Sequence, residues 1–89
     1  MKRAWMILGL AALLSFAGCG DQKADQLYEE GISALEAEDY EGAVEAFDEL
    51  TALGERLPEA YRGAGIAWLQ QGAYPEAIAA FSRSLNYMD

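Results

Sequence analysis

The chain has 89 residues, room for one small domain, with 6 Lys and Arg against 15 Asp and Glu and a formal charge of −9 at pH 7. That acidity argues against nucleic acid as a partner, because phosphate binding needs Lys and Arg to displace counterions. With no histidine and a single cysteine, the chain lacks the commonest general base and metal ligand and cannot close an internal disulfide, so no catalysis, metal or bound cofactor is expected.

Lys2 and Arg3 are the only charges before Asp21. Residues 4–14 form an apolar block, and Ser15, Ala17 and Gly18 are small. A basic start, a short apolar core and small residues before a cut describe a secretory signal. The uncharged stretch 4–20, at 1.5 Å per residue, is a little short for a hydrocarbon core of about 30 Å. An uncleaved anchor helix and a signal cut elsewhere stay open as other readings.

Phe16-Ala17-Gly18-Cys19 resembles the lipobox of bacterial lipoproteins, with Phe16 where Leu is commoner. The resemblance implies cleavage before Cys19, a lipid on its thiol and usually an acyl group on its new amino terminus. Two or three acyl chains anchor stably where one binds marginally. After such a cut four basic and 15 acidic residues remain, 4 − 15 = −11, so anionic headgroups would repel the domain and anchoring would fall to the lipid. Gly20 is not the Asp that retains some lipoproteins in the inner membrane. The implied address is the bacterial envelope, facing the periplasm (on the outer membrane in a two-membrane host) or the exterior.

From Ala24 onward the chain repeats itself at an offset of 34. Gly31 pairs with Gly65, Ile32 with Ile66, Leu35 with Leu69, Tyr40 with Tyr74, Ala43 with Ala77, Val44 with Ile78, Ala46 with Ala80 and Phe47 with Phe81. Each copy predicts two helices. In the first copy Leu27, Gly31, Ala34 and Leu35 share one face, then Tyr40, Ala43, Val44 and Phe47 share another. In the second copy the faces are Tyr61, Ala64, Gly65, Trp68 and Leu69, then Tyr74, Ala77, Ile78, Phe81 and Leu85. Glu59 suits the first turn of its helix, Gly72 a left-handed stop and Pro75 a helix start. Gly31 and Gly65, costly in mid-helix, predict close approach of a partner helix. Trp68 is expected to pack between the copies.

This pattern resembles the tetratricopeptide repeat. The first copy matches at Leu27, Gly31, Tyr40, Ala43 and Phe47, and the second at Tyr61, Gly65, Trp68, Gly72, Tyr74, Ala77 and Phe81. The implied fold is all-α, two tandem helix-turn-helix repeats in a short right-handed α-solenoid preceded by a signal peptide. The expected divisions are a signal at 1–18, the lipidated cysteine and a polar tether at 19–23, repeat one at 24–57 and repeat two at 58–89.

The resemblance implies a non-catalytic scaffold whose first helices line a groove for a peptide or partner helix. The implied groove positions are Asp25, Tyr28, Glu29, Ile32, Leu35 and Glu36, then Glu59, Arg62, Gly63, Ile66, Leu69 and Gln70. A candidate binding strip runs through Tyr28, Ile32, Ile66 and Leu69, with Arg62 its one cation, and suits an amphipathic helix with basic edges. Internal packing of the Ile and Leu residues is the competing reading. The acids Glu36, Glu38, Asp39 and Glu41 lack the spacing of a calcium loop and read as a solvated turn. Two repeats make a short array, so Leu85 and its apolar neighbours are expected at the surface. The expected role is an envelope adaptor or assembly scaffold; the alternative is a truncated or self-associating fragment pairing through its last helix.

Overall fold

Three breaks divide the folded part of the chain: Ala37–Asp39, Leu53–Arg56 and Gln71–Ala73. The computed structural model describes the backbone of residues 19–88 and the side chains of residues 22–88. Among these residues there are four helices and no strand: α1 (Cys19–Glu36), α2 (Tyr40–Ala52), α3 (Leu57–Gln70) and α4 (Tyr74–Asn86). The expected signal at 1–18 and the lipid on Cys19 lie outside the described residues. Helix α1 begins at Cys19, so the segment 19–23, expected as a tether, is continuous with the helix. Gln22, Lys23 and Ala24 are all good helix formers and favour that extension. No described helix is long and apolar enough to cross a membrane.

The two within-repeat turns use one geometry with different residues. In the first, Glu38 N donates to Leu35 O (3.0 Å) and Asp39 N to Ala34 O (2.8 Å). In the second, Gly72 N donates to Leu69 O (3.0 Å) and Ala73 N to Trp68 O (2.9 Å). These crossed bonds satisfy the last carbonyls of each first helix and need a left-handed residue between them. Gly72 supplies it at φ 77°, as expected, and Glu38 is held there at φ 62°. Asp39 then caps α2, accepting a bond from Gly42 N at 3.1 Å. Pro58 and Pro75 stand in the first turns of α3 and α4, where a missing N–H leaves no bond unmade.

Successive helices pack antiparallel, and α1 also touches α3. The core runs through Ala24, Leu27, Ala43, Val44, Phe47, Leu50, Ala60, Ala64, Ala67 and Ala80. Phe47 and Leu50 are its largest fully buried side chains. Glycines set the spacing. A Cβ on Gly31 would lie 2.5 Å from the Phe47 ring, and one on Gly65 would lie 2.7 Å from the Phe81 ring. The mid-helix glycines therefore receive the aromatic residue of the following helix.

The face of α4 that packs inward is narrower than the periodicity indicates. Ala77, Ala80 and Ser84 are buried, while Tyr74, Ile78 and Leu85 are exposed. Helix α2 is covered by both α1 and α3, whereas α4 packs chiefly on α3 among the described residues. Ser84 is buried yet satisfied, its Oγ donating to Pro58 O at 2.8 Å.

Candidate functional site

Helices α1 and α3 are neighbours that carry the same register 34 residues apart, so their equivalent faces form one surface. On α1 this surface carries Tyr28, Ile32 and Leu35, and on α3 Arg62, Ile66 and Leu69. Each set has spacing i, i+4, i+7, one stripe along a helix. The stripes differ in exposure. Tyr28, Ile32 and Leu35 are half-buried and pack against the core. Ile66 and Leu69 are 37% and 44% exposed, and Arg62 is exposed.

Tyr28 is engaged within the protein. Its ring meets Phe47 edge-on, with centroids 6.3 Å apart. The guanidinium of Arg56 lies over the ring, 4.8 Å from its centroid, and Arg56 Nη2 donates to Asp25 Oδ1 at 2.7 Å. Arg56 thus ties the α2–α3 connection to α1 by an ion pair and a cation–π contact together. The hydrogen bond to Asp25, against a smaller opposing effect of burial and with help from the charges of Asp25 and Glu59, pushes the Arg56 pKa above its ordinary value. Sequence reasoning missed this residue. Asp25 and Arg56 are 31 positions apart, which matches neither the helical nor the repeat period.

Gly63, expected on the groove, is buried against the Phe47 ring, with no room for a Cβ. The groove side of α3 is therefore Arg62, Ile66 and Leu69 without Gly63. Trp68 is half-buried and lies with Gln71 beside Glu41, Val44 and Glu45 of α2, lining an open depression of about 310 Å³ between the repeats. Glu36, Glu38, Asp39 and Glu41 are all exposed around their turn. Among the described residues no three His, Cys, Asp or Glu side chains converge as a metal site would need.

The whole arrangement is a pair of helical hairpins whose leading helices present a mixed apolar and charged surface. The tetratricopeptide repeat family matches the chain over residues 28–88. The chain belongs to that family, whose repeats generally mediate protein–protein interaction and are typically non-catalytic. No curated protein and no solved structure matches the chain.

Proposed function

We propose that this chain is an envelope lipoprotein whose repeat pair serves as a protein-binding adaptor, with the α1–α3 surface as its groove. The observation that carries the binding half is the stripe Arg62, Ile66 and Leu69. It leaves two branched apolar side chains partly in water beside a cation with no ion pair among the described residues, on helices that also carry Glu29, Glu36 and Glu59. Exposed apolar groups rimmed by charge suit an amphipathic helix with apolar anchors and basic edges. Ile32 and Leu35 supply the half-buried floor next to them, while Tyr28 supports that floor from beneath Arg56.

The anchoring half rests on the apolar run 4–14 and on Ala17-Gly18-Cys19. In this reading lipid on Cys19 holds the acidic domain at a membrane that its own side chains would avoid. The lipid is a covalent attachment, and no other cofactor is invoked.

Two experiments test the halves separately. A photo-crosslinking amino acid at Arg62 or Leu69 is expected to give a reproducible product with one other protein, absent when placed at the exposed Ser82 of α4. Products formed equally from all three positions would defeat the groove. Cys19→Ser is expected to abolish lipid labelling and precursor processing. A variant that still fractionates with membrane at mature size would defeat the anchor and leave the groove standing.

A further inference from the structure

Arg56 shows how this chain holds a cation. Its guanidinium lies 4.8 Å from the centroid of the Tyr28 ring, and its Nη2 donates to Asp25 Oδ1 at 2.7 Å. An aromatic face and a carboxylate thus share one guanidinium, whose planar fork suits both at once. Among the described residues this is the only ion pair.

The same two components meet again, without a cation, in the depression between the repeats. Its walls are Glu41, Val44 and Glu45 of α2 with Trp68 and Gln71 at the end of α3. Glu41 and Glu45 stand one turn apart on one face of α2, a spacing at which like charges repel. Both are exposed, and neither pairs with a described basic side chain. Helix α3 ends here with no basic residue in its last turn, so the negative end of its dipole adds to the two carboxylates. Trp68 is half-buried, which leaves part of its indole within reach from outside, and the buried Val44 adds an apolar contact beside it. Gln71 is held by its own helix: Nε2 donates to Ala67 O at 3.2 Å, and Oε1 is left as an acceptor.

Apart from Val44, none of these residues belongs to the repeat. At the 34-residue offset Ala34 stands for Trp68 and Ala37 for Gln71, while Pro75 and Ala79 stand for Glu41 and Glu45. Positions that build the fold recur in both copies, as Gly31 with Gly65 and Phe47 with Phe81 do. The indole and the carboxylates occur once, where the copies meet.

We propose that this depression is a second binding site, which takes an arginine side chain from a basic segment of another protein. The guanidinium stacks on Trp68 and donates to Glu41 and Glu45, while its methylene stem runs along Val44. A volume of about 310 Å³ is at the small end of ligand pockets and suits a single side chain. The formal charge of −9 draws basic segments toward the chain as a whole, and the indole gives one point on it a preference for a flat cation. The site shares no residue with the α1–α3 groove and holds independently of it.

Heteronuclear NMR on the full 89-residue chain tests this, with acetyl-Gly-Arg-Gly-amide as probe at about 0.15 M salt. The readout is the indole Nε1–H signal of Trp68, identified as the one missing from Trp68→Phe. A saturable shift with a Kd in the low-millimolar range is expected. The same peptide with citrulline in place of arginine, close in shape and uncharged, should bind at least about tenfold more weakly. Glu41→Gln combined with Glu45→Gln should weaken the arginine peptide by a similar factor. Glu49→Gln combined with Glu55→Gln, which removes as much charge from exposed positions outside the depression, should change it less than about twofold. No saturation up to about 50 mM peptide, or equal binding of the citrulline peptide, overturns the proposal. Equal weakening by the two Gln pairs does so as well, since the acidity of the chain at large would then hold the peptide. Spermidine binding about tenfold more tightly than the arginine peptide would give the site to a small amine instead and overturn it too.

Discussion

Gly63 on α3 lies directly against the ring of Phe47 on α2, and no Cβ fits between them. Phe47 is fully buried, so its ring has nowhere to retreat. Overpacking costs about 1–3 kcal/mol, and Ala returns about 1 kcal/mol of helix propensity. Gly63→Ala should therefore destabilise by up to about 2 kcal/mol in urea unfolding followed by circular dichroism. Gly65→Ala poses the same contact to Phe81, but that ring is half-buried and free to give way. Its net effect should be near zero. Equal losses at the two glycines would mean that the difference in ring burial has no energetic weight. Phe47→Leu combined with Gly63→Ala should cost less than the sum of the two, because the shorter side chain relieves the contact.

The turn at Glu38 makes a second prediction. Glu38 occupies at φ 62° the position that Gly72 fills at φ 77°. A side chain in the left-handed region costs about 1–2 kcal/mol, partly offset by the greater unfolded-state freedom of Gly. Glu38→Gly should stabilise by about 0.5–1 kcal/mol, and Gly72→Ala should destabilise by a similar amount. The Glu38 side chain is exposed, so no packing is lost with it. A melting temperature for Glu38→Gly at or below that of the parent would count against the backbone argument.

Much of this fold is legible in the 34-residue period because each repeat solves the same packing problem with the same residues. The close approach at Gly31 and Gly65 could be read in advance, as could the Gly72 stop, whereas the rings of Phe47 and Phe81 that meet those glycines came from the structure. The contact of Gly63 could not be read in advance. Its counterpart is Glu29, since it packs between repeats and the first repeat has no predecessor among the described residues. Its apparent groove position followed the period, while its contact follows α2. The outward turn of Ile78 has the same origin: burial there depends on what lies beyond α4, and the periodicity of the helix itself carries no record of that. Arg56 escaped notice because a loop cation reaching Asp25 and Tyr28 leaves no repeating signal. Of the groove strip, Arg62, Ile66 and Leu69 come together on the exposed side of α3. Tyr28 sits deeper than its polar hydroxyl and register indicate.

The cap of α2 is a third point of test. Asp39 accepts from Gly42 N, one of the helix-end donors with no partner inside the helix. The matching residue before α4 is Ala73, which has no side chain to do this. Asp39→Ala should cost about 1 kcal/mol, and Asp39→Ser much less, since Ser offers an equivalent acceptor. Equal losses for Ala and Ser would show that the carboxylate charge matters and the bond does not.

Asp48 gives the chain a pH dependence whose sign can be worked out. Partial burial on α2 pushes its pKa above the ordinary aspartate value, because burial disfavours the charged form. The folded state then holds this proton more tightly than the unfolded state. The group's contribution to stability is present below the unfolded pKa and is lost as the pH rises through the folded one. At neutral pH, ionised Asp48 therefore works against folding. Asp48→Asn removes the ionisation and keeps a similar helix propensity and shape. It also leaves intact the bond from Thr51 Oγ1 to the Asp48 carbonyl oxygen, 2.8 Å, which belongs to the backbone. The variant should melt slightly above the parent near neutral pH, and the gap should close by about pH 3, where both side chains are largely uncharged. The shift is modest because Asp48 remains mostly in contact with water, which screens its charge. Thermal melts of the pair at the two pH values check it: a gap of the same size at both would assign the gain to something other than the carboxylate's proton.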